Sequence, residues 1–218
     1  MTLARNRTLH QIRAITFDLD DTLWEIAPVI RRAEAELWRW LERHCPAVPA
    51  KFSAQAAMEL REQVLEEHAD RCHDFRFLRR TTLCRMLDAC GYPDAFIDAG
   101  FEVFNRFRNR VELYPDVLPA LNILAKQFRL IAVTNGNADL QAIGIRHLFA
   151  DAVSAADVGA AKPARQIFDE AVRRAGVLPE QVLHVGDHPE CDVEGARGAG
   201  LCTAWVNRAG GPWPEHLT

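Results

Sequence analysis

The sequence predicts an α/β fold, a doubly wound parallel sheet of Rossmann-like type carrying an inserted all-helical domain. Three observations predict it. Short apolar, β-branched runs recur along the chain and each stops at polar residues. Stretches long enough to be crossover helices separate them. One long early segment keeps a helical spacing of apolar residues throughout and contains no strand-like run. A chain of 218 residues with 49% hydrophobic residues can bury both a core and a substantial insertion.

The first run is Ala14-Ile15-Thr16-Phe17, a buried strand that ends at Asp18. The same pattern recurs at Arg129 to Val133, followed by Thr134-Asn135-Gly136, and at Gln181 to Val185, followed by Gly186-Asp187. Ala152 to Ser154 and Cys202 to Val206 complete the predicted strands. Crossover helices are expected over Val117 to Lys126, Ala138 to His147, Ala164 to Ala175 and Cys191 to Ala199. Ligands of such sheets bind beyond the carboxyl ends of the strands, where all of these polar termini fall.

Residues 1–25 and 114–218 are thus assigned to the α/β core and 26–113 to the helical insertion. Within the insertion Pro28 suits a first helical turn, followed by the stripe Val29, Ala33, Leu37, Trp40 and Leu41. Ser53 is placed to cap a second helix carrying Ala57, Leu60, Val64 and Leu65. Leu78, Leu83, Met86, Leu87 and Cys90 form a third stripe that Gly91 stops. Phe96, Ile97, Phe101, Phe104, Phe107 and Val111 form a fourth. These stripes read as the core of a helical bundle.

Composition narrows the function classes. Lys and Arg total 26 against 30 Asp and Glu, a formal charge of -4, which gives no general affinity for nucleic acid or an anionic membrane. No segment approaches the roughly 20 apolar residues that span a bilayer, and Met1 to Arg13 lacks the apolar run of a secretory signal. The expectation is a cytoplasmic protein, a monomer or weak homodimer. The six cysteines show no Cys-x-x-Cys and read as reduced, mostly buried thiols.

Chemistry concentrates at the strand ends. Asp18, Asp20 and Asp21 crowd three carboxylates into four residues, which repel one another unless a cation neutralises them. Oxygen ligands without His or Cys favour a hard ion such as magnesium. Thr134 and Asn135 offer a hydroxyl, an amide and nearby N–H groups suited to phosphate oxygens, and Lys162 offers an ammonium just before a helix that Pro163 would open. Asp187 adds a carboxylate to the same edge, with Asp192 one helical turn beyond. Taken singly, each has an ordinary reading: a turn at Thr134-Asn135-Gly136, a solvated charge at Lys162, a helix cap at Asp192. His184, His188 and Cys191 are capable zinc ligands, but a strand would turn His184 away from the edge.

Together and in this order, these residues resemble the four motifs of the haloacid dehalogenase-like hydrolase superfamily, with the insertion where members bearing a cap of the first type carry theirs. The resemblance implies that Asp18 is the nucleophile and Asp20 the general acid and base. It implies magnesium held by Asp18, the Asp20 carbonyl and Asp187, with Asp192 as a further carboxylate of the metal region, and phosphoryl binding by Thr134, Asn135 and Lys162. Dehalogenases of the superfamily lack an acid at the position of Asp20, so its presence favours phosphate esters. The runs from Ile15 to Trp24, Ala132 to Ala138 and Leu183 to Asp187 are similar to bacterial phosphatases acting on flavin mononucleotide and on the phosphoribityl-aminouracil intermediate of riboflavin synthesis. The expected partner is a small-molecule phosphate ester. A sugar-phosphate or nucleotide phosphatase of the same superfamily is the alternative, and a phospho-acceptor signalling domain, which would have no use for a large cap, is another. The His73 to Arg80 segment, with Arg76 and Arg80, has a composition suited to substrate contacts from the cap, and equally reads as the two faces of one helix.

Overall fold

Five parallel strands form one sheet, in the order Asp151–Ser154, Arg129–Thr134, Ala14–Phe17, Val182–Gly186 and Cys202–Trp205, in a computed structural model that describes residues 11–217. The strands are β1 Ala14–Phe17, β2 Arg129–Thr134, β3 Asp151–Ser154, β4 Val182–Gly186 and β5 Cys202–Trp205. All four residues of β1 are buried, as befits a strand with both faces covered. Register sets the site: Phe17 lies opposite Ala132 on one side and Val185 on the other. The carboxyl ends of β1, β2 and β4 therefore meet at one edge, and Asp18 N continues the pairing by donating to Val185 O at 2.9 Å.

One core cluster joins sheet residues Ile131, Val133, Val153 and Val182 to Ile167, Phe168 and Ala171 of the helix Arg165–Ala175. Ile167 and Phe168 are fully covered, each contributing roughly 1.5–3 kcal/mol of apolar burial. That helix begins two residues after Pro163 and stops at Gly176, whose φ of 70° is a conformation glycine adopts without strain.

The chain divides into two compact units, one comprising the chain up to Glu25 together with Glu112 onward, the other Ile26–Val111. The second is all helical among its described elements: Ile26–His44, Ala47–Lys51, Ala54–Glu67, Phe75–Asp88 and Ala95–Arg108, with a 3-10 turn at Ala69–Arg71. Its core comprises Ala33, Leu37, Leu41, Cys45, Val48, Leu83, Met86, Leu87 and Phe104. Ser53 caps its helix by accepting from Ala56 N at 3.1 Å, and Gly91 takes the left-handed conformation expected of a stop.

Several expectations need correction. The helix expected over Ala138 to His147 is broken into Leu140–Ile143 and a 3-10 turn at Arg146–Leu148, because Gly144 adopts φ 90° between them. The segment expected as a helix from Cys191 begins as a π-helical turn, Pro189–Glu194, and continues as Gly195–Gly198. Leu65 is not core but 41% exposed, since only Val64 of its helix is buried. All six cysteines are free thiols, yet only Cys45 is buried and Cys72 is exposed. No helix among the described residues is long and apolar enough to cross a membrane. Residues 1–10 of the N-terminal stretch read for a secretory signal lie outside the described residues.

Candidate active site

β1 delivers Asp18 to the sheet edge almost fully buried, at 6% exposure. Its Oδ1 accepts from Lys162 Nζ at 2.5 Å and its Oδ2 from the Thr22 hydroxyl at 2.8 Å. Thr22 also lies 3.1 Å from Asp187 Oδ1, so one hydroxyl spans two carboxylates contributed by β1 and the end of β4.

Lys162 is buried rather than solvated, and the reason lies in its backbone. Asn135 Oδ1 accepts from Lys162 N at 2.7 Å while Asn135 Nδ2 donates to Lys162 O at 3.0 Å. This two-point clasp ties the Lys162 loop to the end of β2 and aims its ammonium inward. Nζ then donates to Asp192 Oδ1 at 2.6 Å as well as to Asp18. Burial alone would push the Lys162 ammonium down, but the Asp18 and Asp192 carboxylates outweigh it and leave it raised, hence fully charged.

Asp192 is a buried partner of Lys162 and not an exposed helix cap. Its Oδ2 accepts from His188 N at 2.9 Å, and its Oδ1 lies 3.2 Å from His184 Nε2. Burial works against its charge, yet Lys162 and His184 together outweigh it and hold the carboxyl below its usual range. The side chain fits because residue 186 has no Cβ: one placed there would lie 2.3 Å from Asp192 Cγ.

His184 does not turn away from the edge residues as its strand position suggested. It reaches Asp192 on one side and Thr16 on the other, with Thr16 Oγ1 2.8 Å from Nδ1. Burial lowers its pKa, so the ring is neutral at pH 7. With Nε2 facing a carboxylate, Nε2 carries the hydrogen and Nδ1 accepts from the Thr16 hydroxyl. His188 Nδ1 accepts from Cys191 N at 3.2 Å and so serves its own turn.

Carboxylate oxygens of Asp18, Asp187 and Asp192 all lie within 4.8 Å of one another. Three carboxylates meet one ammonium, a formal surplus of two negative charges. Asp187 registers the imbalance: burial first, then the charges of Asp18 and Asp192, raise its pKa to about 7. Trp205 Nε1 donates to Asp187 O at 2.7 Å and fixes that backbone.

Asp20 stands apart from the carboxylate cluster. The chain leaves β1 at Phe17, and Asp20 Oδ1 accepts from Trp24 Nε1 at 2.9 Å. Thr134 is buried at the end of β2, and its hydroxyl oxygen accepts from Gly136 N at 2.9 Å, which leaves its O–H as a donor.

In the helical unit, Arg80 pairs with Asp98 at 2.5 Å and lies 5.5 Å from the Phe101 ring, while the exposed Arg76 lies 5.3 Å from the same ring. Arg79 reaches Glu34 at 2.8 Å and stacks 3.5 Å from Phe104. These arginines cover the protein's own phenylalanines. Residues that sequence reasoning passed over include Thr22, His184 as a partner of Asp192, Gly186 and Trp205. Of these only Gly186 and Thr22, adjoining the aspartates, carried any signal.

Residues 12–200 match the profile of the haloacid dehalogenase-like hydrolases. The chain is 33% identical over 220 residues to the 5-amino-6-(5-phospho-D-ribitylamino)uracil phosphatase YigB of Escherichia coli, covering 97% of this chain and 92% of that one. It is 31% identical to the glyceraldehyde 3-phosphate phosphatase of Methanopyrus kandleri, over 90% and 84% of the two chains. A crystal structure from Pseudomonas syringae, described as a 2-haloacid dehalogenase, superposes with a TM-score of 0.89 at 41% identity, covering 94% of this chain and 91% of that one.

Proposed function

The chain belongs to the haloacid dehalogenase-like hydrolase family, and we propose that it is a magnesium-dependent phosphatase that cleaves a small phosphomonoester through a phosphoryl-Asp18 intermediate. The observation that carries this reading is the Lys162 ammonium held between Asp18 and Asp192, with Asp187 beside them. A carboxylate attacks a phosphate dianion only when positive charge offsets the repulsion between them.

The donor set fits a hard divalent cation: the clustered side-chain donors are all carboxylate oxygens, their charge surplus matches, and burial and the neighbouring carboxylates raise the pKa of Asp187 to about 7. Asp18, Asp187 and the Asp20 carbonyl would hold magnesium, with Asp192 completing the region. Bound there, the ion would supply charge cancellation between nucleophile and phosphate.

The chain's own groups do the rest. Lys162 neutralises phosphoryl oxygens at the Asp18 carboxylate, assisted by the Thr134 hydroxyl. Asn135 contributes through its backbone N–H, because its amide is committed to Lys162. Asp18 forms a bond to phosphorus as the ester oxygen leaves, and Asp20 protonates that oxygen. Asp20 then takes a proton from the water that hydrolyses the acyl-phosphate.

We assign as substrate the phosphoribityl-aminouracil intermediate or flavin mononucleotide. Sequence similarity to the E. coli enzyme supports the first of these; a ribityl alkoxide, like any sugar alkoxide, is a poor leaving group that the proton of Asp20 would serve. The helical unit, Ile26–Val111, is proposed as the cap that supplies substrate contacts, among them Arg76 and Arg80.

Similarity to the P. syringae protein favours a second reading, dehalogenation by attack of Asp18 on carbon. A halide leaves without a proton and a haloacid brings no phosphate dianion, so Asp20 and the cluster around Asp187 would have no task. Turnover of these two phosphates, simple sugar phosphates and 2-chloropropionate, with and without magnesium, tests the choice. Magnesium-dependent release of phosphate, fastest from the two ribityl esters, is expected. Chloride release without phosphatase activity overturns the reading, and ribityl esters no faster than sugar phosphates remove the substrate assignment.

A further inference from the structure

We propose that Trp24 is a positioning residue for the general acid, its indole N–H holding Asp20 by Oδ1 so that the catalytic proton is carried and delivered by Oδ2. The inference rests on the role given to Asp20 above and adds what sets that carboxyl's orientation.

Trp24 has 0% exposure, and a buried indole N–H needs an acceptor. Here the acceptor is a carboxylate four residues back, at 2.9 Å. The backbone brings the two residues together. Asp21 takes a left-handed φ of 63°, Leu23 N donates to Leu19 O at 2.8 Å, and Asp21 N donates to Trp24 O at 2.7 Å, so the chain turns back on itself directly after Asp20. Trp24 bridges in parallel to Asp20 and antiparallel to Leu113, and Tyr114 N donates to Leu23 O at 3.0 Å. The backbone that carries the indole is therefore held on two sides, and the indole's own bond is to Asp20.

The two oxygens of a carboxylic acid are unequal: the carbonyl oxygen is the better acceptor and the other carries the hydrogen. A donor fixed on Oδ1 selects it as the carbonyl and assigns the proton to Oδ2. During phosphoryl transfer the bond from an Asp18 oxygen to phosphorus forms, and the ester P–O bond breaks with its electron pair on the ester oxygen. The hydrogen of Oδ2 passes to that oxygen, leaving Asp20 as a carboxylate. When water attacks the acyl-phosphate, one of its hydrogens returns to Oδ2 and Asp18 leaves as a carboxylate. Misorienting such an acid reduces only the steps in which the proton moves.

The test compares Trp24→Phe, Asp20→Asn and the double variant by kcat/KM, which reports steps up to release of the leaving group. Each is assayed with an alkyl phosphate and with 4-nitrophenyl phosphate, whose leaving group needs no proton. Trp24→Phe is expected to lower kcat/KM for the alkyl ester by roughly 10- to 100-fold and to spare the nitrophenyl ester. On the Asp20→Asn background it should add no further selectivity. Should Phe unsettle the fold, judged by thermal melting, 3-benzothienylalanine at position 24 replaces the N–H by sulfur at nearly unchanged shape. If Asp20→Asn loses both esters equally, the general-acid reading itself falls. If Asp20→Asn is selective but removal of the indole N–H lowers both esters alike, or neither, the positioning role is overturned.

Discussion

Gly186→Ala should dislodge Asp192 without replacing any charged group. The new methyl would lie 2.3 Å from Asp192 Cγ and 2.5 Å from its Cβ and Oδ2. Carbon atoms pack at about 3.5–4.0 Å, so the side chain must retreat by more than about 1 Å. It cannot retreat freely, being 1% exposed and bonded to Lys162 at 2.6 Å, His188 N at 2.9 Å and His184 at 3.2 Å. Breaking one side of a buried ion pair costs about 3–5 kcal/mol. Lys162 keeps Asp18, which places the expectation at the lower end, about 3 kcal/mol. For a chain of this size that is roughly 6–12 °C in melting temperature. The assay is thermal and urea unfolding of metal-free protein, with magnesium affinity measured alongside. A loss below about 1 kcal/mol with unchanged magnesium affinity would refute the packing of Asp192 under Gly186.

Asp187 gives the proposed metal site a pH dependence. Its pKa in the folded chain, about 7, lies above the ordinary 3.8, so folding disfavours its ionised form. Stability from this group is fully present below about pH 4 and is lost as pH rises through 7. Magnesium restores a partner to the ionised carboxyl, so the rise in melting temperature on adding it should be larger at pH 8 than at pH 5.5; equal rises would contradict the assignment. In the helical unit, Leu83→Ala at a 1% exposed position should destabilise by about 2–5 kcal/mol, measured by urea unfolding. Leu65→Ala, 41% exposed, should stay within about 0.5 kcal/mol, and the reverse ranking would mean that the bundle packs by another face.

The sheet was legible because each strand is a short apolar run that halts at a polar residue, a pattern a buried parallel strand imposes on Ala14–Phe17 or Val182–Gly186. That Asp18 and Asp187 would meet was legible for the same reason, since each directly follows a strand and topology dictates where strand ends go; Lys162 and Asp192 lie beyond strand ends, and the fold brings them to the same place. What held them was not legible. The clasp of Asn135 on Lys162 spans 27 residues, and the Thr16–His184 bond spans 168, separations at which local pattern carries no information. Asn135 looked like an anion ligand because a side-chain amide suits that task. Only the fold assigns its hydrogen bonds to a backbone. The expected crossover helix from Ala138 to His147 breaks at Gly144, whose left-handed φ of 90° ends the first piece. Of the stripe on its helix, Ala57 and Leu60 pack against the core and Val64 is buried, whereas Leu65, the next residue round, is turned outward. Arg76 and Arg80 lie beside Phe101, a placement that the local composition at residues 76–80 did not specify.

Covalent phosphorylation of Asp18 is the claim from which the rest follows, and it can be trapped. Enzyme mixed with flavin mononucleotide and magnesium, quenched in acid within a single turnover and digested, should yield the peptide containing Asp18 heavier by one phosphoryl group. Asp18→Asn protein should yield none. Steady phosphate release with that peptide unmodified at every quench time would contradict the account, because phosphate would then be leaving without passing through the carboxylate that Lys162 holds.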